Sequence, residues 1–180
     1  MSFKTLEKLS ANIGNDYPNS VQENQAWEES AFNWIRTLPP GRKGAIGRKL
    51  ACGLLQSFGF TCLTQGNLIK VNGQSISVKT SLMWGAGVIK FQNIRDSDFN
   101  FVLCLGIYPT TSLGWLIPKD EIWSDSGVLR DDREGLRSQH GGQAGSEDAW
   151  IGIDTDDVQD WLKPYGGTTD AMITVTQKSL

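Results

Sequence analysis

Acidic residues are missing from the middle of this chain. Between Ala31 and Arg95 the sequence has no Asp or Glu, although the 180 residues carry 20 acidic and 17 basic side chains in total. The basic residues of that stretch are Arg36, Arg42, Lys43, Arg48, Lys49, Lys70, Lys79, Lys90 and Arg95. Such segregation can make one face attractive to phosphate while the net charge stays at −3. It also means that this stretch supplies no carboxylate to a metal ion.

Histidine, cysteine and long apolar runs are also scarce. The single histidine, His140, has no Ser or Cys nucleophile with an orienting acid near it in the sequence, which argues against a hydrolytic triad. Cys52, Cys62 and Cys104 lack the spacing of metal ligands, so we expect free buried thiols in a reducing cytoplasm. No stretch approaches the roughly 20 apolar residues of a membrane span. We therefore expect a cytoplasmic protein that does not contact membranes.

The composition is that of a globular protein. With 39% hydrophobic and 21% charged residues, a chain of 180 residues is large enough to bury a core. It contains no internal repeat, low-complexity segment or linker that would divide it. We expect one domain over residues 1–180 with an α/β fold, in which helices flank a central mixed β-sheet.

Turn residues and hydrophobic periodicity place the main elements. Asn72 and Gly73 predict a hairpin between strands at 68–71 and 74–79, because Asn-Gly is the strongest two-residue hairpin signal. The near-continuous apolar run at 99–107 predicts a buried central strand. We further expect helices at 24–38, 43–58 and 156–162, strands at 113–117 and 149–153, a strand or short helix at 88–95, a polar loop at 124–146 and a last strand or tail at 171–176.

The hairpin carries the most specific pattern in the sequence. Its second strand leads into Val78-Lys79-Thr80-Ser81, and Lys90-Phe91-Gln92-Asn93-Ile94-Arg95-Asp96 follows before the apolar strand. Over about residues 44–118 this arrangement resembles the core of the restriction-endonuclease-like PD-(D/E)XK nucleases. The resemblance implies a restriction-endonuclease-like fold, a Lys that assists the attacking water, and two acids that hold Mg²⁺.

Carried onto this sequence, the resemblance gives a catalytic set with no carboxylate. The Lys is Lys79, the acid two residues before it falls on Ser77, and the Asp that opens the hairpin falls on Asn67. Some members of the family place the second acid later, at a position that falls close to Gln92. Asn67 and Ser77 are thus the implied metal positions. An amide and a hydroxyl offer Mg²⁺ dipoles without compensating charge, so Mg²⁺ is expected only if the site is catalytic.

Basic and aromatic side chains indicate how DNA would be bound. Cations in the first turns of the 43–58 helix oppose its dipole and invite a phosphate, and Arg side chains in the polar loop match guanine edges and phosphate oxygens. The candidate DNA-binding residues are Arg42, Lys43, Arg48, Lys49, Lys90, Arg130, Arg133, Arg137 and His140. Trp84, between a Met and a Gly, is the base-stacking candidate. We expect Trp27, Trp34, Trp123, Trp150 and Trp161 to pack in the core.

Three hypotheses follow for the function. The first is a DNA-binding protein of the restriction-endonuclease type that hydrolyses phosphodiester bonds with a divalent metal. The second is a catalytically inactive DNA-binding module on the same fold, and the third is a structural or partner subunit. The expected partner in the first two is double-stranded DNA, and a homodimer is expected by analogy with restriction-type enzymes.

Overall fold

A computed structural model describes residues 2–14, 25–83, 87–130, 132–138 and 148–180. Within these ranges the helices are α1 Ser2–Gly14, α2 Gln25–Glu28, α3 Asn33–Arg36, α4 Pro40–Ser57 and α5 Thr169–Ser179. The strands are β1 Cys62–Gln65, β2 Leu68–Val71, β3 Gln74–Leu82, β4 Val88–Arg95, β5 Phe101–Ile107, β6 Ser112–Pro118, β7 Leu136–Ser138, β8 Asp148–Asp154 and β9 Gly166–Thr168. Short 3-10 turns lie at Lys119–Glu121 and Lys163–Tyr165.

The α/β fold is built on two sheets. The larger sheet has six strands in the order β1-β2-β3-β5-β6-β9, and the smaller has three in the order β4-β8-β7. The larger sheet is mixed, because β3 and β5 run parallel while its other neighbours are antiparallel. An α/β fold with a mixed sheet is thus confirmed. None of the described helices combines the length and the apolar character needed to cross a membrane.

Two hydrophobic cores lie on opposite faces of the larger sheet. Helix α4 packs on β1, β2 and β3, and its Leu50 and Leu54 share a core with Ile76 and Leu103. The other face meets the smaller sheet, where Phe91, Trp115 and Ile151 are buried together. Side chains of β3 therefore point alternately into the helix-side core and toward the smaller sheet.

The hairpin forms as predicted. Asn72 and Gly73 have φ angles of 47° and 89°, as a type I′ turn requires. Val71 pairs with Gln74, and Leu68 pairs with Ser77. Strand β2 begins at Leu68, so the second half of β3 extends past it and keeps only β5 as a partner among the described strands.

Helix α4 begins at Pro40, and Pro39 is its N-cap. Proline suits the first helical position, where its missing N–H costs no hydrogen bond. Gly47 brings the helix close to β3, since a Cβ at this position would lie 2.0 Å from Oγ1 of Thr80. The N-terminal turns of α4 are thereby held beside the second half of β3.

Several predicted elements differ from the structure. The expected helix at 24–38 is divided into α2 and α3, and the expected helix at 156–162 is absent from the described chain, which has only bends and turns there. The last segment is helix α5 and not a strand, because the Thr168 side chain caps it by accepting a hydrogen bond from the backbone N–H of Ala171. The segment at 88–95 is strand β4. The polar 124–146 segment contains β7.

The expectation of free thiols is wrong for two of the three cysteines. Cys52 of α4 and Cys62 of β1 form a disulfide with a Cα–Cα distance of 5.5 Å, which lies within the usual range. Cys104 is a free, buried thiol. The spacing of the cysteines did not indicate this bond, because the bond depends on how the chain returns from α4 to β1 at the edge of the larger sheet.

Candidate functional site

A cavity of about 430 Å³ lies between the start of α4, the second half of β3, and β4. This volume falls in the range of small-molecule sites, roughly 300–1,000 Å³. Its basic lining residues are Arg36, Lys43, Arg48, Lys79 and Lys90. Its polar neutral lining residues are Thr80, Ser81, Gln92 and Asn93. We call this the cationic cavity.

The charged side chains that line the cationic cavity are all basic. Among the described residues, no Asp or Glu lines it. Four ion pairs between described residues lie away from the cavity and join Arg95 to Asp148, Lys119 to Asp96, Arg133 to Glu121 and Lys163 to Asp160. Several positive charges around one concave surface focus a positive potential, which attracts anions.

Lys79 is positioned by the register of the larger sheet. It lies on the β3 face that meets the smaller sheet, next to Cys104 of the parallel strand β5. Its ammonium group donates a hydrogen bond to the backbone carbonyl of Asn93. Lys79 therefore connects β3 to β4 while lining the cavity.

The surroundings of Lys79 disfavour its charged form. Burial is the main cause that lowers its pKa. Cys104 and Asp148 oppose this by raising the pKa, and the positive charges of Arg95 and Arg48 lower it further. Burial also raises the pKa of the neighbouring Cys104 thiol, while the positive charge of Lys79 lowers it. A bound anion would supply the missing negative charge.

A bulge in β4 presents the polar side of the cavity. The pairing of β4 with β8 shifts register between Phe91 and Ile94, so Gln92 and Asn93 form the irregular part. Asn93 adopts a φ of 57°, a conformation that Asn tolerates better than most residues. The bulge turns the Asn93 carbonyl toward Lys79 and leaves the Gln92 and Asn93 side chains exposed.

The start of α4 forms another wall. Pro40, Lys43, Gly44 and Arg48 line the cavity, and the first turn of a helix presents unpaired N–H groups and a positive dipole end. Arg42 and Lys49, which the sequence analysis grouped with Lys43 and Arg48, are exposed and do not line this cavity. Helical geometry explains the division, because residues on one helix face recur every three to four positions and not at each step.

The sequence analysis did not name four polar or charged lining residues as site residues, namely Arg36, Thr80, Ser81 and Asn93. The hydroxyl of Thr80 is buried against Gly47, and it has no hydrogen-bond partner among the described residues. Arg36 donates from Nη1 to Oδ1 of Asn33 at 3.3 Å, and its guanidinium lies 5.4 Å from the ring centroid of Trp27. The adjacency of Thr80 to Lys79 in the motif was the available signal for Thr80.

The implied metal positions do not converge on this cavity. Ser77 is 7% exposed and shares its strand face with Lys79, but Leu68 lies opposite it. Asn67 is exposed in the turn between β1 and β2, and neither residue lines the cavity. No group of three or more His, Cys, Asp or Glu in the described part of the chain is arranged to hold a metal ion. An exposed amide and a buried hydroxyl do not fit Mg²⁺, which prefers carboxylate and water oxygens.

The arginines predicted in the polar loop lie apart from the cavity. Arg133 forms an ion pair of 2.6 Å with Glu121, and Arg130 donates from Nε to the Asp120 carbonyl. Arg137 of β7 donates from Nη1 to the carbonyl of Leu136. His140, Trp84 and the glycines at 141–145 lie outside the described residues.

Asp148 is the carboxylate that acts on Lys79. It begins β8, pairs with Arg95 at 3.0 Å and raises the pKa of Lys79. It lies 69 positions after Lys79 in the sequence, so only the pairing of β4 with β8 brings it near. No motif in the sequence pointed to it.

Comparison with known proteins identifies no relative. No protein-family model matches the chain, and neither does any curated protein or solved structure. The function is therefore inferred from the residues of the cationic cavity.

Proposed function

We propose that this protein is a DNA-binding module that holds backbone phosphates in the cationic cavity. The observation that carries the proposal is the convergence of Lys43, Arg48, Lys79 and Lys90 on one cavity that no described carboxylate lines. DNA is a polyanion, and its affinity for proteins depends largely on such contacts.

Each wall of the cavity offers a group that suits a phosphate oxygen. Arg48 provides a fork of N–H donors, Lys43 and Lys90 provide mobile ammonium groups, and the start of α4 adds a positive dipole end. The unpartnered hydroxyl of Thr80 is a further donor at the cavity wall. The amide of Gln92 can donate to a phosphate or contact a base edge.

The resemblance to restriction-endonuclease-like nucleases supports DNA as the partner. A glycine-containing helix, α4, precedes the hairpin, and Lys79 lies on the second hairpin strand, as the resemblance implies. Where some members of that family have a helix after the hairpin, this chain has strand β4. The element that follows the hairpin thus differs from the helix of those members.

Hydrolysis is the competing hypothesis, and Asp148 is the observation that favours it. Asp148 is a carboxylate whose charge raises the pKa of Lys79, and cleavage would require it to leave Arg95 for a metal ion. The binding module needs no such exchange. We therefore propose binding without cleavage as the function.

The test measures binding and cleavage together. Fluorescence anisotropy with a labelled oligonucleotide at low salt should show binding by the native protein and weaker binding by Arg48→Gln. Lys8→Gln, which neutralises an exposed lysine on α1 away from the cavity, should bind as the native protein does. Incubation of plasmid DNA with Mg²⁺ or Mn²⁺ should leave it intact. Cleavage that requires Lys79 would replace this proposal with the nuclease, and absence of binding at low salt would reject both.

A further inference from the structure

Trp150 lies on the outer face of the smaller sheet and not in the core where it was predicted. Its neighbours Ala149 and Ile151 in β8 are fully buried, whereas Trp150 is half-buried and belongs to neither core cluster. The period of two along a strand explains the outward position. A large aromatic ring therefore lies on the outer surface of the smaller sheet, where it belongs to neither hydrophobic core.

The Trp150 ring packs over Gly152, where the absence of a side chain leaves room for it. A Cβ at Gly152 would be 2.8 Å from Cζ3 of Trp150 and 3.1 Å from Cγ1 of Val88, so the ring extends over the glycine toward β4. Val88 is itself 48% exposed. Together the two side chains form a small apolar surface at the glycine.

Lys90 joins this surface to the cationic cavity. It lines the cavity, pairs with Gly152 across β4 and β8, and places Nζ 5.4 Å from the centroid of the Trp150 ring. On the other side of β8, Arg137 pairs with Trp150. The two acids at the ends of β8 are Asp148, which pairs with Arg95, and Asp154, which accepts a hydrogen bond from the Asp156 N–H.

We propose that Trp150 stacks on an unpaired base of a single-stranded nucleic acid whose neighbouring phosphate lies in the cationic cavity. This inference rests on the proposed phosphate binding and narrows its substrate class. Single-strand binders combine a basic groove with exposed aromatic rings in this way. Bases inside a duplex are stacked on each other, so an aromatic side chain reaches the face of a base only at unpaired positions.

The experiment compares single and double strands of equal length. Anisotropy is measured with a labelled oligothymidine of about 12 nucleotides, within the roughly 4–16 nucleotides that single-strand sites cover, and with a duplex of the same length. Trp150→Leu should weaken single-strand binding by roughly 5- to 150-fold and change duplex binding by less than about two-fold. Trp150→Phe, which keeps a ring, should lose less affinity.

A matched control separates stacking from loss of apolar surface. Leu63→Thr removes an exposed apolar side chain, 66% accessible, from β1 at the edge of the other sheet, and should bind like the native protein. Oligothymidine should also quench tryptophan fluorescence in the native protein and quench it less in Trp150→Phe. That comparison serves if Trp150→Leu does not fold.

The outcomes distinguish this inference from the proposed function. If Trp150→Leu and Trp150→Phe keep single-strand affinity while Arg48→Gln weakens it, the stacking role is rejected and phosphate binding stands. Equal losses on single strand and duplex would also reject stacking. A native protein that binds neither strand form would reject both.

Discussion

Lys79 carries a half-buried ammonium group beside the buried Cys104 thiol. Replacing it with Met keeps most of the side-chain length and removes the charge whose burial lowers its pKa. We expect Lys79→Met to be at least as stable as the native protein in thermal unfolding. Its affinity for DNA should fall about 10-fold, since a hydrogen bond to a charged group is lost. Reduced stability with unchanged affinity would assign Lys79 a purely structural role.

The lowered pKa of Lys79 also predicts opposite pH trends for binding and stability. As pH rises through this pKa, the ammonium group loses its proton and the affinity for an anion should fall. Between the lowered pKa and the ordinary lysine value of 10.5, the unfolded state binds more protons than the folded state, so the free energy of unfolding gains a rising contribution. Both trends should be measured against Lys79→Met, which should lack them. Parallel profiles in the two proteins would contradict this assignment.

The sequence predicted individual residues of the cavity better than their arrangement. Lys79, Lys43, Arg48, Lys90 and Gln92 were all candidates, and the structure brings them to one cavity. The hairpin was predictable because its turn depends on two adjacent residues. The β4 bulge was not, because it depends on pairing with β8, a strand 53 or more positions away.

Elements that depend on neighbouring residues could be predicted from the sequence, whereas features that depend on distant parts of the chain could not. The spacing of apolar residues such as Leu50 and Leu54 predicted a helix at 43–58, and the observed helix α4 begins three residues earlier, at Pro40. The β-branched residues of helix α5 favour a strand, so the sequence predicted a strand or tail there. Its N-cap, Thr168, is the last residue of the short strand β9, which pairs with β6. The Cys52–Cys62 bond depends on the same return of the chain from helix to sheet.

Gly47 controls how closely α4 approaches β3. Gly47→Ala should lower the free energy of unfolding by about 1–3 kcal/mol, because its Cβ would overlap Thr80. It should also weaken DNA binding by moving the start of the helix. Gly41→Ala is the matched control in the same helix, since nothing lies within 4 Å of its Cβ, and alanine should stabilise the helix by up to about 1 kcal/mol. Chemical denaturation measures both, and equal effects would contradict the close contact.

The disulfide between α4 and β1 can be tested by counting the thiols that react with a thiol reagent. Under denaturing conditions without reductant, one of the three cysteines should react with a thiol reagent, and all three should react after reduction. Three reactive thiols without reductant would contradict the bond. Disulfides are typical of oxidising compartments, so the predicted cytoplasmic location loses the support that free thiols gave it.

Charge is segregated across the whole molecule. The nine basic residues between Ala31 and Arg95 were visible in the sequence, but their clustering required α4, β3 and β4 to meet. Acidic side chains line a second cavity of about 690 Å³ by the first residues of β5, with Asp96, Asp120 and Asp125 among its walls. A net charge of −3 therefore coexists with one strongly basic site.

The salt dependence of DNA binding tests this account most directly. The logarithm of the binding constant should fall steeply with the logarithm of salt concentration, by roughly 0.7–0.9 for each phosphate neutralised. Arg48→Gln should reduce the slope by about 1 because it removes one such contact, whereas Lys8→Gln should leave it unchanged. A nearly flat slope for the native protein, or the same slope for Arg48→Gln and Lys8→Gln, would contradict phosphate binding in the cationic cavity.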